Sequence, residues 1–352
     1  MNKKLAIGLG FVIGLPAIGM LVLYLIFHFY YTKMNYEERG AYVADASLSE
    51  NDVLDMEDVD FSIADSDADE IADLEKLIDE NINDDSLEFA KDKDVFNVLL
   101  IGCDARSEGG RGRSDSMILV SINSRTKQLV ATSIMRDTYC HIPGHQDNRI
   151  NAAYAFGGAD LLIETIEQNF KISIDRYVAV DFFVFVDVID AVGGVDIDVQ
   201  DWEVATLNGI MNEINMLEGL PLSDGKITSG GMQHLNGRQA LSYARIRHVG
   251  NADFERTERQ RRVLEQIFLK VKDCSFSELT DILSAVLPEV TTDMKESELL
   301  SLILNMPSYR NYELIQHRVP ADGTYQNLRI RGMAVLGIDF KTNIDEMKRV
   351  IY

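Results

Sequence analysis

The chain has 352 residues, with 57 Asp+Glu against 34 Lys+Arg and a formal net charge of −23. Its 46% hydrophobic content excludes global disorder, and three cysteines are too few for a disulfide scaffold. A charge of −23 spread evenly would exclude nucleic acid as a partner, because phosphate contacts are made by Lys and Arg.

The charge is not spread evenly. From Leu5 to Thr32 no side chain is charged, and the apolar run is long enough for the roughly 20 residues of a membrane-spanning helix. Lys3 and Lys4 precede it, while Glu37 and Glu38 offset the basic residues beyond it. The positive-inside rule therefore places residues 1–4 in the cytoplasm, 5–31 in the cell membrane as a single-pass signal-anchor, and the remainder outside the cell. A cleaved signal peptide fits less well. Ala44-Asp45-Ala46 has the shape of a cleavage site but lies too far beyond the run, which itself exceeds the roughly 7 to 15 residues of a signal core. Residues 32–94 read as an acidic extracellular linker. Between Asp45 and Asp94, 20 Asp+Glu face three Lys, a net of −17 that leaves −6 for everything else. Self-repulsion should extend such a segment, although Ile71, Leu74, Leu77, Ile78 and Ile82 have the spacing of a weak amphipathic helix. The repeated Asp residues form no calcium loop of the D-x-D-x-D-G type.

Residues 95–352 have the composition of a compact α/β domain. Val95 to Ile101 is a continuous apolar run suited to a buried strand, and a Gly-rich loop, Gly102 to Arg113, follows it. Met117 to Ile122 and Gln128 to Ile134 read as strands joined by the turn Asn123 to Thr126. Leu162, Ile163, Ile166 and Phe170 have helical spacing. Tyr177 to Val180 is an expected strand, Phe182 to Val192 a buried helix closed by Gly193-Gly194, and Val195 to Val199 another strand. Helices are expected from Gly237 to about Tyr243, from Asp253 to Lys272, from Leu279 to Met306 and from Asn343 to Ile351, with a strand near Glu313 to Val319. The expected fold is α/β, a mixed central sheet with helices on both faces, preceded by one transmembrane helix and the acidic linker.

The chemistry lies in where this domain places arginine. The loop after the first strand carries Asp104, Arg106, Arg111, Arg113 and Asp115 among glycines. Glycines let backbone N–H groups approach an anion, arginines grip phosphate oxygens, and two carboxylates can hold a hard cation against a phosphate. A Walker-type phosphate loop is excluded, since no GK[ST] follows. The strand Gln128 to Ile134 runs into Met135-Arg136-Asp137, so an arginine stands at a strand end, where α/β sheets bind ligands. In extended form, Tyr243, Arg245 and Arg247 would project from one face, and two adjacent arginines repel unless an anion lies between them. On the following helix Arg256 and Gln260 are four apart and share a face, while Arg259, Arg261 and Arg262 turn towards nearby acids.

At this point the chain resembles the LytR-CpsA-Psr proteins. The motifs are NVLLIGCDAR, GRSDSMILVSIN, SIMRD, RINAAYAFGG, VDFFVFVDVIDAVGGVDIDV, LNGRQALSYARIRH and DFERTERQRRV, in that order over residues 95 to 270. The resemblance implies a polyisoprenyl-diphosphate-linked glycopolymer:peptidoglycan phosphotransferase of Gram-positive cell wall biogenesis. Such an enzyme moves a teichoic acid or capsular polysaccharide from undecaprenyl diphosphate onto peptidoglycan, forming a phosphodiester. By position, Asp104 and Asp115 would hold Mg²⁺, or Mn²⁺ in its place. Arg113, Arg136, Arg245, Arg247, Arg256 and Gln260 would bind the diphosphate, with Asp104, Arg136 and Asp137 as catalytic residues. The helix Phe182 to Val192 and the side chains Val263, Leu264, Ile267 and Phe268 are candidates for walling a lipid tunnel. Cys103 and Cys140 leave two readings open, a disulfide if their strands are neighbours or two buried thiols, with Cys274 unpaired. A lipid diphosphate pyrophosphatase would use the same site with water as acceptor. A non-catalytic envelope-binding or regulatory protein is the third alternative. One Trp in the chain argues against carbohydrate platforms, and the interspersed acid argues against nucleic acid.

Overall fold

The computed structural model describes residues 24–40, 64–103, 112–247 and 252–352, apart from 26 and 85. Seven strands make one mixed sheet: β1 (Asn35–Tyr36), β2 (Val95–Cys103), β3 (Ser114–Asn123), β4 (Gln128–Ile134), β5 (Arg176–Asp181), β6 (Thr291–Thr292) and β7 (Glu313–Val319), in the order β1-β6-β5-β2-β3-β4-β7. β2, β3 and β4 form an antiparallel meander through the expected turn at Asn123 to Thr126, whereas β5 joins β2 and β7 joins β4 in parallel. The mixed sheet and its strand boundaries follow the sequence closely here, because short turns and unbroken apolar runs leave few alternative pairings.

Alternation along the strands divides the sheet into two faces. Leu99, Ile101, Met117, Leu119, Val130 and Ile134 point to a buried core closed by α1 (Ala68–Ile82), α2 (Ala152–Phe170) and the C-terminal helix Phe340–Ile351. Leu162, Ile163, Ile166 and Phe170 are all in this core, as their spacing requires. The intervening residues, Leu100, Gly102, Ser116, Ile118, Val178 and Val180, look the other way, into a cavity. That second face is roofed by α3 (Phe182–Ala191), α4 (Val204–Leu217), α5 (Gly237–Ala244), α6 (Ala252–Asp273) and α7 (Phe276–Val286). A smaller core of Ile189, Val195, Ile197, Leu207, Met211 and Val263 holds this roof together.

Several expectations need correction. Acidic residues 64–82 are not an extended linker: α1 buries Leu74 and Ile78 completely, and Asn81 Nδ2 donates to the Asn169 carbonyl at 2.9 Å. Its acids sit on the solvent face, so charge density concealed an apolar stripe. β1, also inside the expected linker, pairs with β6. The expected helix Leu279 to Met306 is two helices, α7 and Glu296–Tyr309, separated by a short 3₁₀ turn at Leu287–Glu289 and by β6. Pro288 accounts for the break, since it lacks the N–H that a helix interior needs. α4, the strand Gly231–Leu235 and the hairpin Tyr325–Ile330/Met333–Ile338 were not anticipated. Among the described residues no helix is long and apolar enough to cross a membrane; residues 1–23, most of the expected span, lie outside them, as does the acidic stretch 41–63.

Candidate functional site

The space between sheet and roof is a cavity of about 1230 Å³. One part of its wall is basic. Arg113 leads into β3, Arg136 follows the end of β4, Arg245 and Arg247 follow α5, and Arg256 with Gln260 face inward from α6; all six line the cavity. Gly237 lets α5 approach α3 closely enough to bring Arg245 there, because a Cβ at that position would lie 2.3 Å from the Val186 carbonyl oxygen. The rest of the wall is apolar: Phe182, Phe185 and Val188 of α3, Ile210, Met216 and Leu217 of α4, Leu264 and Ile267 of α6, and Val286 and Val290.

Three carboxylates share this wall and each has a partner. Asp115 Oδ1 accepts from Arg136 Nη1 at 2.8 Å. Asp181 caps α3, accepting from the Phe183 and Val184 amides at 2.9 Å each. Glu213 lies 3.8 Å from Arg245, whose guanidinium also stacks over Phe182 at 4.7 Å. Burial works against a charged Asp115, but Arg136, Arg256 and Arg113 outweigh it and hold the carboxyl below the ordinary carboxylate range. Ser116 Oγ donates to Gln260 Oε1 at 3.1 Å, which fixes the amide beside Asp115. Five arginines against three carboxylates give the wall a net positive charge in partly dry surroundings. Such an array favours a multivalent anion able to satisfy several guanidinium groups together.

The structure thus gathers Arg113, Asp115, Arg136, Arg245, Arg247, Arg256 and Gln260 at one cavity. It does not bring Asp137 there. That carboxylate is buried and is not among the residues that line the cavity; it lies 3.2 Å from Arg149 Nη1 and 3.5 Å from Arg136 Nε, where it helps to orient Arg136. Asp104 lies outside the described residues. Tyr243 does not project beside Arg245: it belongs to α5 and is fully buried in the roof, where its hydroxyl accepts from Arg262 at 3.1 Å. Arg259 pairs with Glu255 at 2.7 Å and Arg262 with Glu258, as their helical positions led us to expect; Arg259 also meets the distant Glu203 at 2.7 Å, and Arg261, expected to turn to a nearby acid, is buried and donates from Nε to Gln316 Oε1 at 3.4 Å. Of the expected tunnel residues, Phe182, Phe185, Val188, Leu264 and Ile267 reach the cavity, while Val263 is core. Cys103 and Cys140 are buried free thiols, and Cys103 Sγ donates to the Val180 carbonyl at 3.5 Å. Arg149 and the α4 wall were missed. Arg149 sat inside a recognised motif with no chemistry attached to it, and α4 carries no charge pattern that marks a site.

Among the described residues no group of three His, Cys, Asp or Glu side chains is poised for a metal ion. One ionised carboxylate facing a phosphate is nevertheless how Mg²⁺ is commonly held, with phosphate oxygens and water completing the shell. Asp115, kept deprotonated by its arginines, fits that role.

An arginine-rich wall joined to an apolar one thus lies on one face of the mixed sheet. The chain belongs to the LytR_cpsA_psr family, whose sequence profile matches residues 61–349. The match begins just before α1, in agreement with the packing of that helix on the domain. Over 221 residues the chain is 36% identical to the polyisoprenyl-teichoic acid–peptidoglycan teichoic acid transferase TagU of Enterococcus faecalis, covering 61% of this chain and 67% of that protein. It is similar in structure to Bacillus subtilis TagV, with a TM-score of 0.59, 30% identity and coverage of 74% of this chain and 97% of that one. It is similar also to the family protein YwtF (TagT) with bound octaprenyl pyrophosphate lipid, with a TM-score of 0.54, 26% identity and coverage of 75% and 91%.

Proposed function

We propose that this chain is a phosphotransferase that moves a teichoic-acid-type glycopolymer from an undecaprenyl diphosphate carrier to a peptidoglycan hydroxyl. The observation that carries this reading is the juxtaposition of five arginines with an apolar cavity, the two surfaces that a polyisoprenyl diphosphate presents. The relatives' names and the lipid held by YwtF (TagT) support it.

In the reaction the acceptor oxygen attacks the phosphorus that carries the glycan. The bond from that phosphorus to the bridging oxygen breaks, and polyprenyl phosphate leaves with the electron pair. Phosphoryl transfer depends mainly on positioning and charge stabilisation. Arg136, fixed by Asp115 and Asp137, and Arg256 on α6 supply donors to the non-bridging oxygens. Arg245 and Arg247, on the same cavity wall, would take the second phosphate and stabilise the departing charge. Mg²⁺ bound by Asp115, and by Asp104 beyond the described residues, would supply further neutralisation of the diphosphate. Asp104 is also our candidate for accepting the acceptor hydroxyl's proton, since Asp137 is buried and engaged by Arg149 and Arg136 and is not among the cavity-lining residues. The apolar N-terminal run would anchor the chain in the cell membrane, with the domain on the outer side where its substrates meet.

Full-length protein reconstituted with a lipid diphosphate-linked glycan, Mg²⁺ and peptidoglycan fragments should yield glycan joined to peptidoglycan through phosphate. Release of glycan phosphate into water with no joined product would make the chain a pyrophosphatase. Lipid binding without either product would make it a binding protein.

A further inference from the structure

We infer that the exposed apolar rim formed by the end of α4 and the loop after it is a membrane-contact surface through which the lipid tail passes between the bilayer and the cavity. This deepens the transferase reading and rests on it for the identity of the lipid. Met216 and Leu217 line the cavity yet are 71% and 62% exposed. The loop that follows turns back on the helix: the Leu220 amide donates to the Asn215 carbonyl at 2.7 Å, and Asn215 Nδ2 donates to the Pro221 carbonyl at 3.2 Å. That fold turns the loop carrying Leu220 and Leu222, 37% and 51% exposed, back towards the end of α4, where Met216 and Leu217 bring the cavity's apolar wall to the surface. Two exposed apolar side chains of the cavity wall, followed within five residues by two more exposed leucines, are a surface in need of a cover.

Two observations select a bilayer as that cover. The chain leaving the uncharged run Leu5 to Thr32 joins the domain beside the cavity: the Asn35 amide, three residues past the run, donates to the carbonyl of cavity-lining Val290 at 3.2 Å, and Tyr31 Oη, inside it, donates to the Met294 carbonyl at 3.1 Å. The cavity is thereby tethered close to wherever that run resides. The acids next to the rim are also paired, Glu213 with Arg245 at 3.8 Å, and Asp224 at 2.6 Å and Glu218 at 3.7 Å with a shared Arg238, which lessens their repulsion from an anionic leaflet. A short apolar surface element with neutralised flanks is suited to lie in the interface rather than to span it.

The test uses full-length protein in phosphatidylglycerol vesicles on a Cys274→Ser background, since Cys103 and Cys140 are buried. Leu220→Cys and Leu222→Cys are each labelled with an environment-sensitive fluorophore, and Met232→Cys, 71% exposed and away from the cavity wall, serves as the control. Spin-labelled lipid should quench the two rim positions and leave the control in water. Equal quenching at all three positions overturns the proposal, as does rim protection that appears only with rising protein concentration, which would make a second copy the cover. In a second arm, Leu220→Glu/Leu222→Glu should lower transfer from a long-chain donor in vesicles about tenfold while leaving a short-chain, water-soluble donor unaffected. Equal loss with both donors overturns the portal role. If the unsubstituted protein transfers neither donor, the transferase reading fails, and the quenching result still decides the membrane contact.

Discussion

Replacing Arg136 by Met removes the guanidinium that ties the anion site together. Arg136 is 4% exposed, sits 2.8 Å from Asp115 and 3.5 Å from Asp137, and leaves both carboxylates behind when it is lost. Removing one partner of a buried ion pair costs about 3 to 5 kcal/mol. Asp115 keeps Arg256 and Arg113 nearby, and Asp137 keeps Arg149 at 3.2 Å, so the loss should fall near the lower end, about 3 kcal/mol. For a domain of this size that lowers the thermal midpoint by roughly 6 to 12 °C, readable by calorimetry. The effect on transfer is separate. Loss of one preorganised donor to developing charge costs about 10² to 10³ in rate, roughly 2.7 to 4 kcal/mol, measured by single turnover well below the variant's midpoint. The pH dependence follows as well. Asp115's depressed pKa makes its contribution to stability complete above the ordinary carboxylate range and lost as pH falls through the depressed value. Without Arg136 that loss should begin at higher pH. A folded Arg136→Met protein that transfers within threefold of the parent would refute the role assigned to this arginine.

Other expectations follow from single contacts. Leu74→Ala should destabilise the domain by about 2 to 5 kcal/mol, because the side chain is fully buried; an unchanged denaturant midpoint would return α1 to the status of a linker. Glu203→Ala should cost about 3 kcal/mol, the lower end for a broken buried pair, since the Arg259 guanidinium, 2% exposed, loses Glu203 at 2.7 Å but keeps Glu255 at 2.7 Å; a loss below about 1 kcal/mol would mean that Glu255 and water compensate fully. Burial pushes the His317 imidazole below its ordinary value of 6.5, with Arg261, Arg349 and Arg318 acting in the same direction and Glu346 against it. A depressed histidine contributes stability above 6.5 that is lost as pH falls through the ordinary value towards the depressed one, so His317→Gln should flatten the thermal midpoint over that window. An equally steep decline in the variant would assign the dependence to another group.

The sheet was legible because β2 and β4 are short, largely apolar runs bounded by polar turns, and one-residue slips would carry their buried side chains to the wrong face. Arg136, Arg245 and Arg247 were legible for a related reason: each follows an element that must be buried, so its side chain has few directions open, whereas Arg113 leads into β3 and Arg256 was marked by the helical spacing it shares with Gln260. Asp137 misled because adjacency to Arg136 in sequence says nothing about which face of a strand end it leaves. Its partner Arg149 comes from a separate two-residue strand, and no local pattern marks that meeting. α1 was hidden by composition, since net charge averages over a helix whose apolar stripe is narrow. α4 escaped for the opposite reason, being uncharged apart from Glu213 and without a cap that announces its start.

The most direct test of the transferase reading is the ³¹P spectrum of purified product after incubating full-length protein with a polyisoprenyl diphosphate-linked glycan, Mg²⁺ and peptidoglycan fragments. A phosphodiester resonance that co-purifies with muropeptide, absent with Arg136→Met, is the predicted result. Phosphate appearing only as a monoester in solution, or lipid diphosphate recovered unchanged from folded protein, would contradict it.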